Sequence, residues 1–146
     1  MKKYALITGA SAGIGKEFAQ QLAKNGWNLL LIARREQTLK ELSQSLIERY
    51  GIDARYFTAD LADTKQPQLI FDFCNMHDLN IAMLINNAGY GVPGDFEKSP
   101  WSVHRDSLQV MLNSVVELCH LFYPKMLNAH YGRIINVASL AGFAPP

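Results

Sequence analysis

The chain has 146 residues, 49% apolar and 18% charged, with a formal net charge of +1. That length fits one domain able to bury roughly 68–70% of its unfolded surface, and the composition is too apolar for a disordered chain. Near-neutral charge excludes electrostatic attraction to nucleic acid or to an acidic membrane.

Apolar runs alternate with helical patterns along the whole chain. "YALIT" reads as a strand, "IGKEFAQQLAKNG" as a helix closing on Gly26, and "NLLLIA" as a second strand. "EQTLKELSQSLIERYG" is a helix with an apolar side of Leu39, Leu42, Leu46 and Ile47, ending at Gly51. "DARYFTAD" alternates like a strand, while "QPQLIFDFCNM" reads as a helix with Pro67 near its start, although it is short and apolar enough for a strand. "IAMLINNAG" is a buried strand, and a Gly/Pro loop then leads into one long helix from about Trp101 to Leu127, before "GRIINVAS". Short apolar strands separated by helices predict an α/β protein with a parallel sheet covered on both faces, doubly wound by right-handed crossovers. No repeat or linker divides the chain, so residues 1–146 form one domain.

Two stretches resemble targeting or membrane segments and fail on inspection. The apolar run after Lys2 and Lys3 is too short for a leader and meets glycines at once. "VMLNSVVELCHLFYPKML" contains Asn113, Glu117 and His120, which suits a buried helix better than a membrane span. Cys74 and Cys119 fall in helical patterns far apart and indicate a reducing, cytoplasmic setting, with one distant disulfide left open. His104, His120 and His130 lack metal-ligand spacing, so no metal is expected.

"ITGASAGIG" lies between the first strand and the first helix, where a phosphate cradle forms. Gly9 would turn the chain off the strand, Gly13 would let backbone approach a pyrophosphate, and Gly15 would let the helix pack closely. The helix start offers free N–H groups and partial positive charge to phosphates. A purely structural tight turn is the alternative. No Gly-Lys-Ser/Thr follows, which excludes a P-loop. An acid about 20 residues further on would mark a site for the 2′-hydroxyl of NAD, but the second strand ends in Ala33, Arg34 and Arg35. Arginine binds a 2′-phosphate that an acid would repel, so NADP(H) is expected over NAD(H), with Arg34 as main contact and Ser11 and Arg35 assisting. Two solvated arginines at a helix start are the bland alternative, and positive charge there is mildly unfavourable.

With "TGASAGIG", "NNAG" and "INVASLAG" in family order, the chain resembles the short-chain dehydrogenase/reductase family from Lys3 to Ala144, and in particular its compact, NADP-preferring members. The resemblance implies a Rossmann-like sheet of order 3-2-1-4-5 and hydride transfer between NADPH and a small carbonyl or secondary alcohol. It assigns Gly9, Ser11, Gly13, Ile14 and Gly15 to the glycine turn, and Asp60 with Leu61 to the adenine ring. It places Asn86, Asn87, Ala88 and Gly89 beside the adenosine ribose, although Asn86 and Asn87 could form a simple strand-end turn. Asn113 matches an asparagine that holds a water on the proton relay. As a residue among Met111, Leu112, Val115 and Val116 it reads as a buried amide in need of partners, and a structural hydrogen bond would serve equally. Ser139 matches the serine that hydrogen-bonds the substrate carbonyl, or simply ends a strand.

The family's acid is a tyrosine followed four residues later by a lysine, and none of the six tyrosines here has that lysine. The chain is therefore expected to be the N-terminal portion of a reductase, inactive alone. The fifth strand would then be an apolar open edge, predicting self-association through it or through the long helix. The competing expectation is a non-catalytic dinucleotide-binding or self-assembling module.

Overall fold

A computed structural model describes residues 2–143. Ala144, where the family resemblance ends, lies outside them. The elements run β1 (Lys3–Thr8), α1 (Gly13–Lys24), β2 (Asn28–Ala33), α2 (Glu36–Tyr50), β3 (Ala54–Thr58), α3 (Gln66–Met76), β4 (Asn80–Asn86), α4 (Trp101–Leu108), α5 (Ser114–Asn128) and β5 (Arg133–Asn136). The strands form one sheet of order β3-β2-β1-β4-β5, every pair parallel. This is the expected Rossmann-like arrangement.

Alternate residues of each central strand enter two separate cores, because side chains project to opposite faces with a period of two. Tyr4, Leu6, Leu30 and Leu84 pack beneath α3 and α5 with Ile70, Leu118 and Phe122. Ala5, Ile7, Leu29 and Leu31 face α1 and α2 with Ala19, Ala23, Leu39 and Leu46. Burial on both faces explains why the strands read as unbroken apolar runs.

Three local expectations are resolved by tertiary packing. "QPQLIFDFCNM" is helical, with Pro67 in its first turn, where the missing N–H costs nothing. Ile47 is 43% exposed, while Ser43 turns inward and donates to the Ala54 carbonyl at 2.7 Å. The long helix is continuous from Trp101 to Asn128, but Gln109–Asn113 form a π turn between α4 and α5. Such turns shift the helical register, and they concentrate at functional sites.

The edge of the sheet remote from the crevice is tied by a polar cluster. The Tyr4 hydroxyl donates to Asp53 Oδ2 at 2.6 Å, Arg55 Nη2 lies 3.4 Å from the same oxygen, and the Asp53 N–H donates to Asn28 Oδ1 at 2.9 Å. Burial would raise the Asp53 carboxyl, but the Tyr4 hydroxyl and Arg55 outweigh it and hold the group below the usual carboxylate range. Burial first, and then Asp53, push the Tyr4 hydroxyl up to about 12. Asp53 therefore contributes stability that is present above its unfolded pKa and lost as pH falls through its folded one. Tyr4 contributes stability present below about pH 10 and lost as pH rises towards 12. Tyr4→Phe should cost about 1 kcal/mol in urea unfolding near neutrality. The difference between the two proteins should shrink in acid, as Asp53 becomes protonated.

Candidate active site

The crevice sits where β1 is flanked by β2 on one side and β4 on the other, at the carboxyl ends of the strands. Its base is a hydrogen-bonded junction between β1 and β4. Thr8 Oγ1 accepts the N–H groups of Asn87 and Ala88, each at 3.0 Å, and donates to the Ile85 carbonyl at 3.4 Å. Asn87 Nδ2 returns to the Thr8 carbonyl at 2.9 Å and to the Gly9 carbonyl at 3.4 Å. Thr8 was not among the expected site residues, and Asn87, expected beside the ribose, joins the strand ends instead. The signal was present in "ITG" and in the second Asn of "NNAG".

The glycine turn fits against this junction. Gly9 has φ +67°, and a Cβ there would lie 2.8 Å from Asn87 Nδ2 and 2.9 Å from Ala88 Cα. A Cβ on Gly15 would strike the Gly9 carbonyl oxygen and reach 2.5 Å from Asn87 Nδ2. Gly13 faces open space, with nothing within 4 Å of the site of a Cβ. Helix α1 then begins without a side-chain cap and with no acid in its first turn, so its first N–H groups are free to meet an anion.

Two connected hollows share Gly9, Ala88, Gly89 and Tyr90. The smaller, about 300 Å³, takes Ser11, Arg34 and Arg35, with Asp60 and Leu61 from the turn after β3. Arg35 Nη2 donates to Ser11 Oγ at 3.0 Å, which draws the basic pair and the glycine turn together. Asp60 Oδ1 accepts the Ala62 N–H at 3.1 Å and fixes that turn, while Leu61 is buried beneath it. The larger hollow, about 1110 Å³, takes Gly13, Ile14, Asn86 and Ser139. Ser139 Oγ accepts the Ala141 N–H at 3.1 Å, starting a single 3₁₀ turn.

Asn86 lines the larger hollow but spends its amide elsewhere. Its Nδ2 donates to Asn136 Oδ1 at 2.9 Å and approaches Cys119 Sγ at 3.4 Å, joining β4 to β5 and α5. Its Oδ1 is buried without a partner among the described residues.

Asn113 requires a correction. It is exposed, lies outside both hollows, and donates from Nδ2 to Gln109 Oε1 of its own helix at 2.9 Å. The helix residues that face the larger hollow are His104, Ser107, Met111 and Val115. Asn113, two places beyond Met111 in the same π turn, falls on roughly the opposite side of the helix and is exposed. The Met111 side chain instead covers Gly89, with its sulfur 3.3 Å from the place of a Cβ on that glycine. Among the described residues, the structure does not bring Asn113 to the crevice.

This fold and crevice define a Rossmann-like α/β protein. The family model described as short chain dehydrogenase matches residues 3–146. Over 144 residues the chain is 31% identical to a very-long-chain 3-oxoacyl-CoA reductase of Coprinopsis cinerea, covering 97% of this chain and 42% of that protein. Its structure superimposes on a short-chain dehydrogenase from Sphingobium yanoikuyae in complex with NADPH, with a TM-score of 0.92, 30% identity, and coverage of 98% and 56%. L-Sorbose reductase from Gluconobacter frateurii, complexed with NADPH and L-sorbose, gives a TM-score of 0.93 at 28% identity, covering 99% and 55%. The chain belongs to the short-chain dehydrogenase family, an oxidoreductase family. It spans less than half the length of that curated relative and somewhat over half of the two structures.

The Thr8 junction is the feature to test here. Thr8→Val keeps the shape but leaves two N–H groups without their acceptor in a nearly closed environment. It should destabilise the chain by about 2 kcal/mol in denaturant unfolding, whereas Thr8→Ser should retain most of the stability.

Proposed function

We propose that the chain forms the cofactor half of an NADP-dependent oxidoreductase, which moves a hydride between NADPH and a carbonyl or secondary alcohol. The hydrogen bond between Arg35 and Ser11 carries this reading. It gathers a guanidinium and a hydroxyl at the mouth of the smaller hollow, with Arg34 on the same rim, where an acid would repel a 2′-phosphate. The donor set fits the dinucleotide: two arginines and a serine for the ribose phosphate, free amides at the start of α1 for the pyrophosphate, and open space over Gly13. Gly13, Ile14, Asn86, Ala88 and Gly89 line the path beyond, towards Ser139. The NADPH complexes among structural neighbours and the reductase names of relatives support the same reading.

When bound, the cofactor supplies the hydride. Ser139, at the far hollow, offers a hydroxyl to hold a carbonyl oxygen. The 146 residues contain no Tyr-x-x-x-Lys pair to exchange the proton, so this chain alone binds without turnover. Free Cys74 and Cys119 favour a cytoplasmic setting. Calorimetric titration should give tighter binding of NADPH than of NADH, and Arg34→Asp should reverse that order. The same samples should reduce no carbonyl in a tracer assay. Equal affinity for both cofactors, unchanged by the substitution, would discard the reading.

Self-association belongs to the same proposal. Among the described residues β5 pairs only with β4, which leaves its outer N–H and C=O groups available to another strand. Leu108, Leu112, Val116 and Leu127 add exposed apolar surface on the neighbouring helices. Sedimentation equilibrium should show the mass rising with concentration, and a monomer throughout would count against it.

A further inference from the structure

The smaller hollow carries opposite charges from different elements. Arg34 and Arg35 reach it from the end of β2, whereas Asp106 reaches it from α4, one helical turn before Val110 on the same wall. Asp106 is held in place by its neighbour: Arg105 Nε and Nη2 donate to Oδ1 at 3.1 and 3.0 Å. Oδ2 has no hydrogen-bond partner among the described residues. The lining also includes the apolar side chains of Ile32, Leu61, Ala62 and Val110.

This division restricts what each part can accept. An ionised carboxylate is an acceptor only, so it repels a phosphate and also any carbonyl oxygen set against it. Apolar walls of this kind take a flat ring. A ring lying there beside Asp106 meets an acceptor and not a donor. The exocyclic amine of a 6-aminopurine is a donor, whereas a 6-oxopurine presents a carbonyl oxygen from the same carbon.

We propose that Asp106 is a base-specificity residue, whose free Oδ2 accepts the exocyclic amine of adenine and selects against hypoxanthine. The inference rests on the dinucleotide reading above and adds to it a residue from α4. Asp60, which the family resemblance links to adenine, has Oδ1 engaged by its own turn. Asp106 supplies a second acceptor from another element.

The test compares calorimetric affinities of the chain for NADPH and for its hypoxanthine analogue, deamino-NADPH. The wild-type chain should bind NADPH about tenfold more tightly, the size expected for one charge-assisted hydrogen bond at a partly exposed site. In Asp106→Asn, whose amide can turn its NH2 towards a carbonyl, the ratio should fall to within about twofold. A wild-type ratio within about twofold, or a ratio changed by less than about threefold in the variant, overturns the inference while the dinucleotide reading stands. If neither nucleotide binds the wild-type chain, both fall together. The wild-type ratio does not depend on how the variant folds, and far-ultraviolet circular dichroism checks the variant's fold.

Discussion

The hydroxyl of Thr8 governs the geometry of the crevice. It accepts two backbone N–H groups from Asn87 and Ala88, and so fixes the end of β1 against the end of β4. The two strands are neighbours in the sheet but are separated by some eighty residues of chain. Their crossovers lie on opposite faces, so nothing between them covers the strand ends. A gap must open there, and its width is set by what joins the two ends. Thr8 and Asn87 make the joint with side chains rather than a continued ladder, and Gly9 and Gly15 of the turn are packed against it. A bulkier residue at position 9 or 15 would have to displace Asn87 before it touched any ligand.

The helical run from Trp101 to Asn128 adds a second constraint. Asp106 and Val110 face the smaller hollow, while His104, Ser107, Met111 and Val115 face the larger. One rod therefore forms a wall of both. A π turn at Gln109–Asn113 carries one residue towards each hollow, Val110 and Met111, with Ser114 Oγ donating to the Val110 carbonyl at 2.7 Å just beyond it. An extra residue in one turn rotates everything after it relative to a regular helix.

The same turn marks the boundary of what sequence reasoning could reach. Strand order and the double winding were legible because both follow from apolar runs alternating with helical periods. The glycine turn and the arginine pair were legible because their residue types are costly or unusual where they stand. Asn113 misled because a polar residue in an apolar helix draws attention whether it faces a crevice or solvent, and only the register separates the two. The exposed face of α5 carries Val116, Tyr123 and Leu127, so apolar neighbours did not imply burial. Asn86 was legible as a site residue but not as the bridge to Asn136, because partners fifty residues apart leave no local trace.

The two hollows also differ in how they are built. Most of the smaller one comes from strand ends and tight turns, where Ala59 donates to the Ala33 carbonyl, Ala10 to the Ile32 carbonyl, and Asp60 holds its own turn. Its shape is fixed by the sheet. The larger one takes its outer wall from the Tyr90–Pro100 stretch, where Phe96 is 75% exposed and leans on the His104 ring at 4.5 Å. That wall rests on side chains in partial contact with water and not on a backbone ladder. In the function proposed above, recognition of a ring and its phosphate falls to the part of the molecule with the fewest ways to move. On the same proposal, the second ligand falls to the part that a few side-chain rotations can reshape. The sheet separates these tasks because its parallel strands end together, while the segments that follow them differ in length and composition.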